Sequence, residues 1–174
     1  SYAVAATQKK THTQADHDSN VQPWVLAAQR AGCEIRYMTV REDGSLDVDA
    51  LETLVDENTR LIACGLASNG TGTIHDCQRI STLKKNALTF FDGVHYAPHN
   101  LIDVKTLDAD FVVVSPYKFF GPHQGILWGK KERLEELPVA KLRVATEELP
   151  FRWMTGTQSH EGMAGTKAAI EHIA

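Results

Sequence analysis

The chain has 174 residues, 43% of them hydrophobic and 23% charged, which suits one soluble globular domain with a single core and excludes a disordered chain. A formal net charge of −4 with both signs interspersed offers phosphates no concentrated positive field, so nucleic acid and membrane surfaces are excluded as partners, leaving small molecules and other subunits. No apolar stretch approaches the roughly 18 to 20 residues that span a bilayer, and the start lacks a charged-then-apolar signal pattern.

Residues 1–6 read as a piece of helix, and the absence of an initiator methionine suggests a fragment or excised domain. Residues 20–31 place Val21, Trp24, Val25 and Ala28 on one face, with Pro23 in the first turn and Gly32 as a stop, and predict a helix. Residues 34–40 are β-branched and aromatic and predict a strand, closed by the turn chemistry of Glu42, Asp43 and Gly44; residues 47–55 return to helical spacing. Residues 61–66 form an unbroken apolar run, and 76–86 predict a helix with Ile80 and Leu83 on one side. The short runs 88–91, 111–114 and 125–128 are apolar on both faces, residues 131–137 and 161–174 are helical, and 138–157 is less regular. Strands buried on both faces imply an α/β architecture: three layers, with helices on both sides of a mostly parallel sheet.

Three cysteines at wide spacings, Cys33, Cys64 and Cys77, fit neither a disulfide framework nor a paired-cysteine zinc site and read as reduced, structural thiols of a cytoplasmic protein. His95, His99 and His123 do not make a metal site, because Pro98 interrupts the helix that would align the first two.

In such sheets ligands bind at the carboxyl ends of the strands. Asn69 follows one apolar run, Asp92 closes the next, and Ser115 closes the next, with Lys118 three residues on. A lone lysine is ordinarily solvated. Here Tyr117, Phe119 and Phe120 flank it, and desolvation by aromatic rings favours the neutral amine that attacks an aldehyde, so a Schiff-base lysine is the alternative. Asp92 is either a structural hydrogen-bond acceptor or the partner of a protonated pyridine nitrogen.

Four separated segments share an order. They are Asp16-His17-Asp18-Ser19-Asn20-Val21-Gln22-Pro23-Trp24, Ser68-Asn69-Gly70-Thr71-Gly72-Thr73, Asp92-Gly93-Val94-His95-Tyr96-Ala97-Pro98-His99, and Ser115 to His123 around Lys118. From Asp16 onward the chain resembles the class V aminotransferases, and within them the large domain of a cysteine desulfurase-like protein of the NifS/SufS type, a fold-type I enzyme that uses pyridoxal phosphate. The resemblance implies that residues 1–174 are the cofactor-binding large domain, that Lys118 holds the cofactor as a Schiff base, and that Asp92 pairs with its pyridine nitrogen. It implies that His17 stacks on the ring and takes part in proton transfer. Asn69 lies near the ring hydroxyl and the substrate, and Ser115 binds phosphate. Thr157 reaches the phosphate of a neighbouring subunit, so a homodimer is expected.

Two positions depart from the desulfurase pattern: His95 stands where a glutamine commonly contacts the ring hydroxyl, and Tyr117 where a histidine commonly contacts the phosphate. Both retain a hydrogen-bond donor. The mobile cysteine and carboxylate-binding arginine of such enzymes belong to a smaller C-terminal domain, and no counterpart is expected among Cys33, Cys64 and Cys77; a phosphate-binding segment before His17 is expected to be absent or shortened. The expected reaction converts cysteine to alanine and passes its sulfur to an acceptor protein. The alternatives are transamination or epimerisation on the same cofactor, or a catalytically silent domain acting as an interaction module.

Overall fold

The fold is taken from a computed structural model that describes residues 5–6 and 15–173. In chain order the regular elements are β1 (Ala5–Ala6), α1 (Gln22–Ala31), β2 (Ile35–Arg36), α2 (Leu51–Leu54), β3 (Leu61–Gly65), α3 (Cys77–Leu83), β4 (Leu88–Asp92), β5 (Phe111–Val114), β6 (Ile126–Gly129), α4 (Lys131–Glu136) and α5 (His160–Ile173). The main sheet runs β3-β4-β5-β6, with β3, β4 and β5 parallel and β6 antiparallel to β5.

Alternation along each strand explains the layers. Successive strand side chains point to opposite faces. Ile62, Cys64, Phe91 and Val112 pack with Leu51 of α2 and Ile80 of α3, whereas the intervening Ala63 and Phe90 pack with Trp24, Val25 and Ala28 of α1. Trp24 meets Phe90 edge-on, with ring centroids 5.0 Å apart. The helices therefore cover both faces, and the three-layer, mostly parallel α/β sheet is as expected from the apolar runs.

α1 begins with Pro23 in its first turn and ends at Gly32, whose φ of 65° is the left-handed conformation that glycine adopts without steric cost. Asp76 caps α3 by accepting the Arg79 N–H at 3.0 Å. Lys85, with φ of 48°, follows the helix, so it stops short of residue 86.

Three expectations need correction. Residues 5–6 are not helical but form β1, antiparallel to β2; residues 1–4 of that reading lie outside the described residues. The strand predicted over 34–40 reduces to Ile35–Arg36, which pair with Ala6 and Ala5 among the described residues, while Tyr37 and Met38 are buried. The helix predicted over 47–55 reduces to Leu51–Leu54. The Asp47 amide is spent on the Thr39 carbonyl at 2.9 Å, and Arg41 draws Asp47 and Asp49 into ion pairs at 2.7 and 2.6 Å, so helical bonding starts later. Among the described residues no helix is long and apolar enough to cross a membrane.

Candidate active site

The parallel strands β3, β4 and β5 end at Gly65, Asp92 and Val114, and the segments that follow them converge on a cavity of about 130 Å³. Its walls include Asn69 after β3, Asp92 and His95 at the end of β4, Ser115, Tyr117 and Lys118 after β5, and His17 from the loop before α1. Seven of the eight residues expected from the sequence thus come together.

Each wall has a local cause. After β3, Leu66 N–H donates to the Asp92 carbonyl at 2.8 Å, prolonging the ladder, and Ser68 N–H donates to the Thr73 carbonyl at 2.9 Å. The buried Ser68 hydroxyl accepts from the amides of Gly70 and Thr71 at 3.2 and 3.3 Å. This tight turn leaves Asn69 exposed at the rim.

Asp92 closes β4 half-buried. Its Oδ1 accepts the Val94 N–H at 2.8 Å, the hydrogen bond made by its carboxylate among the described residues. Burial pushes its pKa upward, opposed by the Val94 amide and by the charges of His17 and Lys118. Gly93 follows because a Cβ there would stand 2.8 Å from Ile102 Cδ1.

After β5 the chain turns through one short 3-10 segment, Pro116–Phe119, in which Lys118 N–H donates to the Ser115 carbonyl at 3.0 Å. Phe120, with φ of 66°, ends it, and Gly121 is required where a Cβ would stand 2.7 Å from Pro116 Cβ. The expected aromatic sleeve around Lys118 is absent. Phe119 is buried, but Tyr117 is 48% and Phe120 82% exposed. Tyr117 stacks instead on His123, with ring centroids 5.2 Å apart and planes 9° from parallel. What lies within electrostatic reach of Lys118 is Asp92.

His17 caps a 3-10 turn over Asp18–Asn20; its Nδ1 accepts the Ser19 N–H at 3.2 Å and lies 2.7 Å from Ser19 Oγ. A ring accepting at Nδ1 carries its neutral-form proton on Nε2 by this hydrogen bonding. His95 meets His99 edge-on at 5.7 Å. Among the described residues no group of three or more His, Cys, Asp or Glu side chains could hold a metal.

Thr157 is the expected residue that a single chain does not bring to the cleft. It is exposed, in the stretch between the turn Phe151–Trp153 and α5. Sequence reasoning in turn missed Asp16, Ser19 and Gly65, which line the cavity. Asp16 looks solvated beside His17 and Asp18; the signal that could have found it is its place next to a candidate functional histidine.

Loops at the carboxyl edge of a parallel sheet, gathering a lysine, a half-buried aspartate and a histidine, define a family that comparison identifies. Residues 2–174 match the family model for aminotransferase class V, and the chain belongs to that family. Its members are generally dependent on pyridoxal phosphate. The cysteine desulfurase of Pectobacterium carotovorum (strain PC1) is 34% identical over 92% of this chain, and that of Escherichia coli O9:H4 is 35% identical over 92%. Among solved structures, the E. coli cysteine desulfurase CsdA superposes with a TM-score of 0.83 at 30% identity over 91% of the chain. The apo cysteine desulfurase from Thermococcus onnurineus NA1 gives 0.81 at 26% over 91%. The fold is accordingly fold-type I. The chain spans 43% of the length of each of these four relatives.

Proposed function

We propose that residues 1–174 are the pyridoxal-phosphate-binding large domain of a cysteine desulfurase-type enzyme, which converts cysteine to alanine and passes the sulfur to an acceptor protein. The observation that carries this reading is the convergence of Asp92, Lys118 and His17 on one cleft. The relatives' names favour desulfuration over transamination or epimerisation.

The donor set fits the cofactor. Asp92 is a carboxylate whose charge is penalised by burial and whose hydrogen bonding is incomplete among the described residues, so a cationic ring N–H is a favourable partner. Lys118 supplies the primary amine for covalent Schiff-base attachment to an aldehyde, and Ser115 and Tyr117 supply hydroxyls for the phosphate. Bound there, the cofactor supplies an electron sink for the substrate carbons.

The chain's own residues do the rest. Asp92 keeps the ring nitrogen protonated. His17 covers the ring face, and with Lys118 it moves protons at the substrate carbons, as two nitrogen groups that can each hold a proton. His95 can donate a hydrogen bond to the ring hydroxyl, and Asn69 hydrogen-bonds near it without adding charge and also meets the substrate. Thr157, exposed on its own chain, serves the phosphate of the second subunit in a homodimer. None of the three cysteines lines the cleft, so the sulfur-accepting thiol lies elsewhere in the protein. The odd number and wide spacing of Cys33, Cys64 and Cys77, which suit no disulfide framework, support a cytoplasmic setting.

The test is product analysis on the full-length protein supplied with pyridoxal phosphate, cysteine and a thiol reductant. Equal amounts of alanine and sulfide support the reading. A keto acid formed without sulfide contradicts it.

A further inference from the structure

Asp16 is half-buried, and its Oδ1 accepts the Gly65 N–H at 2.9 Å, a contact between residues 49 apart in sequence. Among the described residues β3 is an edge strand of the main sheet, and Gly65, its last residue, is buried. A buried backbone amide at a sheet edge needs an acceptor, and the Asp16 carboxylate provides it. The approach is close: a Cβ at position 65 would stand 2.5 Å from Asp16 Oδ1, so a side chain there would push the carboxylate away. On the other side of Gly65, His75 Nδ1 lies 2.8 Å from the Gly65 carbonyl, so the anchoring residue is itself held.

The next residue after Asp16 is His17. Its backbone is tied to β3 through Asp16, and its ring rotation is set by Ser19 at Nδ1. Both constraints are needed to fix an exposed imbalance-prone loop ring, since a side-chain contact alone leaves the loop free and a backbone tether alone leaves the ring free. We infer that Asp16 is a positioning residue: through the Gly65 amide it pins the loop that carries His17 at the cleft, an assignment that rests on His17 acting there as proposed above. The hydrogen bond it accepts from the Gly65 amide runs to backbone, and through that bond it acts on His17.

The test reads the His17 ring by two-dimensional proton–nitrogen NMR in the full chain without cofactor, and in parallel the kinetics of alanine formation with cofactor. The parent shows one dominant tautomer, protonated on Nε2. Asp16→Ala shows His17 ring signals shifted or exchange-broadened as the freed loop moves, with kcat roughly 10²-fold lower, as expected for misplacement of about 1 Å, while KM changes less than about twofold. Asp16→Asn keeps a carbonyl acceptor and retains the parent values. A folded Asp16→Ala with an unchanged His17 signal overturns the inference, and so does an Asp16→Asn that behaves like Asp16→Ala. Should Asp16→Ala fail to fold, Gly65→Ala, whose methyl displaces the carboxylate, must give the same change in the His17 signals instead; an unchanged signal there also overturns it. The NMR arm needs no cofactor, so a tethered His17 in a chain that forms no cofactor absorbance would fault the proposed function and not the tether.

Discussion

Gly65 and Asp92 are register partners on β3 and β4, so the parallel pair presents the tethered backbone and the half-buried carboxylate of the cleft side by side. The apolar residues that precede them, Cys64 and Phe91, are both buried on one face of the sheet. Core packing thereby fixes how far each strand runs and where its polar end emerges.

Burial raises the pKa of Asp92, so the folded chain binds a proton there more tightly than the unfolded chain does. Stability therefore falls as pH rises through the interval between the unfolded and folded pKa values, and the loss is complete above it. Asp92→Asn, which retains an acceptor for the Val94 amide, is expected to be more stable than the parent at neutral pH without cofactor. That advantage shrinks toward about pH 4, near the ordinary aspartate pKa. Paired urea curves across this range measure the difference. The same substitution is expected to weaken pyridoxal phosphate binding roughly 10- to 100-fold, corresponding to the ~1.5–3 kcal/mol of a hydrogen bond to a charged group.

Asp110 has the opposite sign. It is 1% exposed just before β5, accepts the Thr89 N–H at 3.0 Å, and pairs with Lys84 at 3.3 Å and Arg133 at 3.2 Å. Burial pushes its pKa up, but the Thr89 amide, Lys84, Arg133 and Lys130 outweigh it and hold the pKa below its ordinary value. Its contribution is present above the unfolded pKa and lost as pH falls through the folded one. Asp110→Asn is expected to cost about 3 kcal/mol by urea unfolding, the lower end for breaking a buried pair, because Arg133 stays 39% exposed. Asp110 precedes β5 while the cleft lies beyond its other end, so cofactor affinity should not change.

Much of the site was legible because strand ends are written as apolar runs stopping at a polar residue: Phe90-Phe91-Asp92 and Val113-Val114-Ser115 both read this way. The layers followed from the same runs. The Asp16 contact with Gly65 was not legible, since its partner there is a backbone amide, which every residue but proline carries and no sequence pattern marks. The exposure of Tyr117 and Phe120 was hidden as well, since aromatic composition does not say which rings face solvent. The short β2 and α2 show local propensity yielding to pairing partners and to the Arg41 ion pairs.

Cys64 and Cys77 face each other with Sγ atoms 3.9 Å apart, each within reach of the Gly65 carbonyl, at 3.1 and 3.5 Å. The neighbouring Cys77 thiol and burial push the Cys64 thiol well up. Alkylation of the native chain at neutral pH, followed by peptide mass spectrometry, is expected to modify the half-exposed Cys33 at least roughly tenfold faster than either buried thiol. Equal rates would contradict their reading as core residues.

The central claim is that Lys118 holds the cofactor, and visible absorbance tests it most directly. The full chain incubated with pyridoxal phosphate and freed of excess should keep a visible absorbance band that survives desalting, whereas Lys118→Ala, folded to the same far-ultraviolet spectrum, should not. A parent without the band, or a Lys118→Ala variant that retains it at full intensity through desalting, would contradict the account.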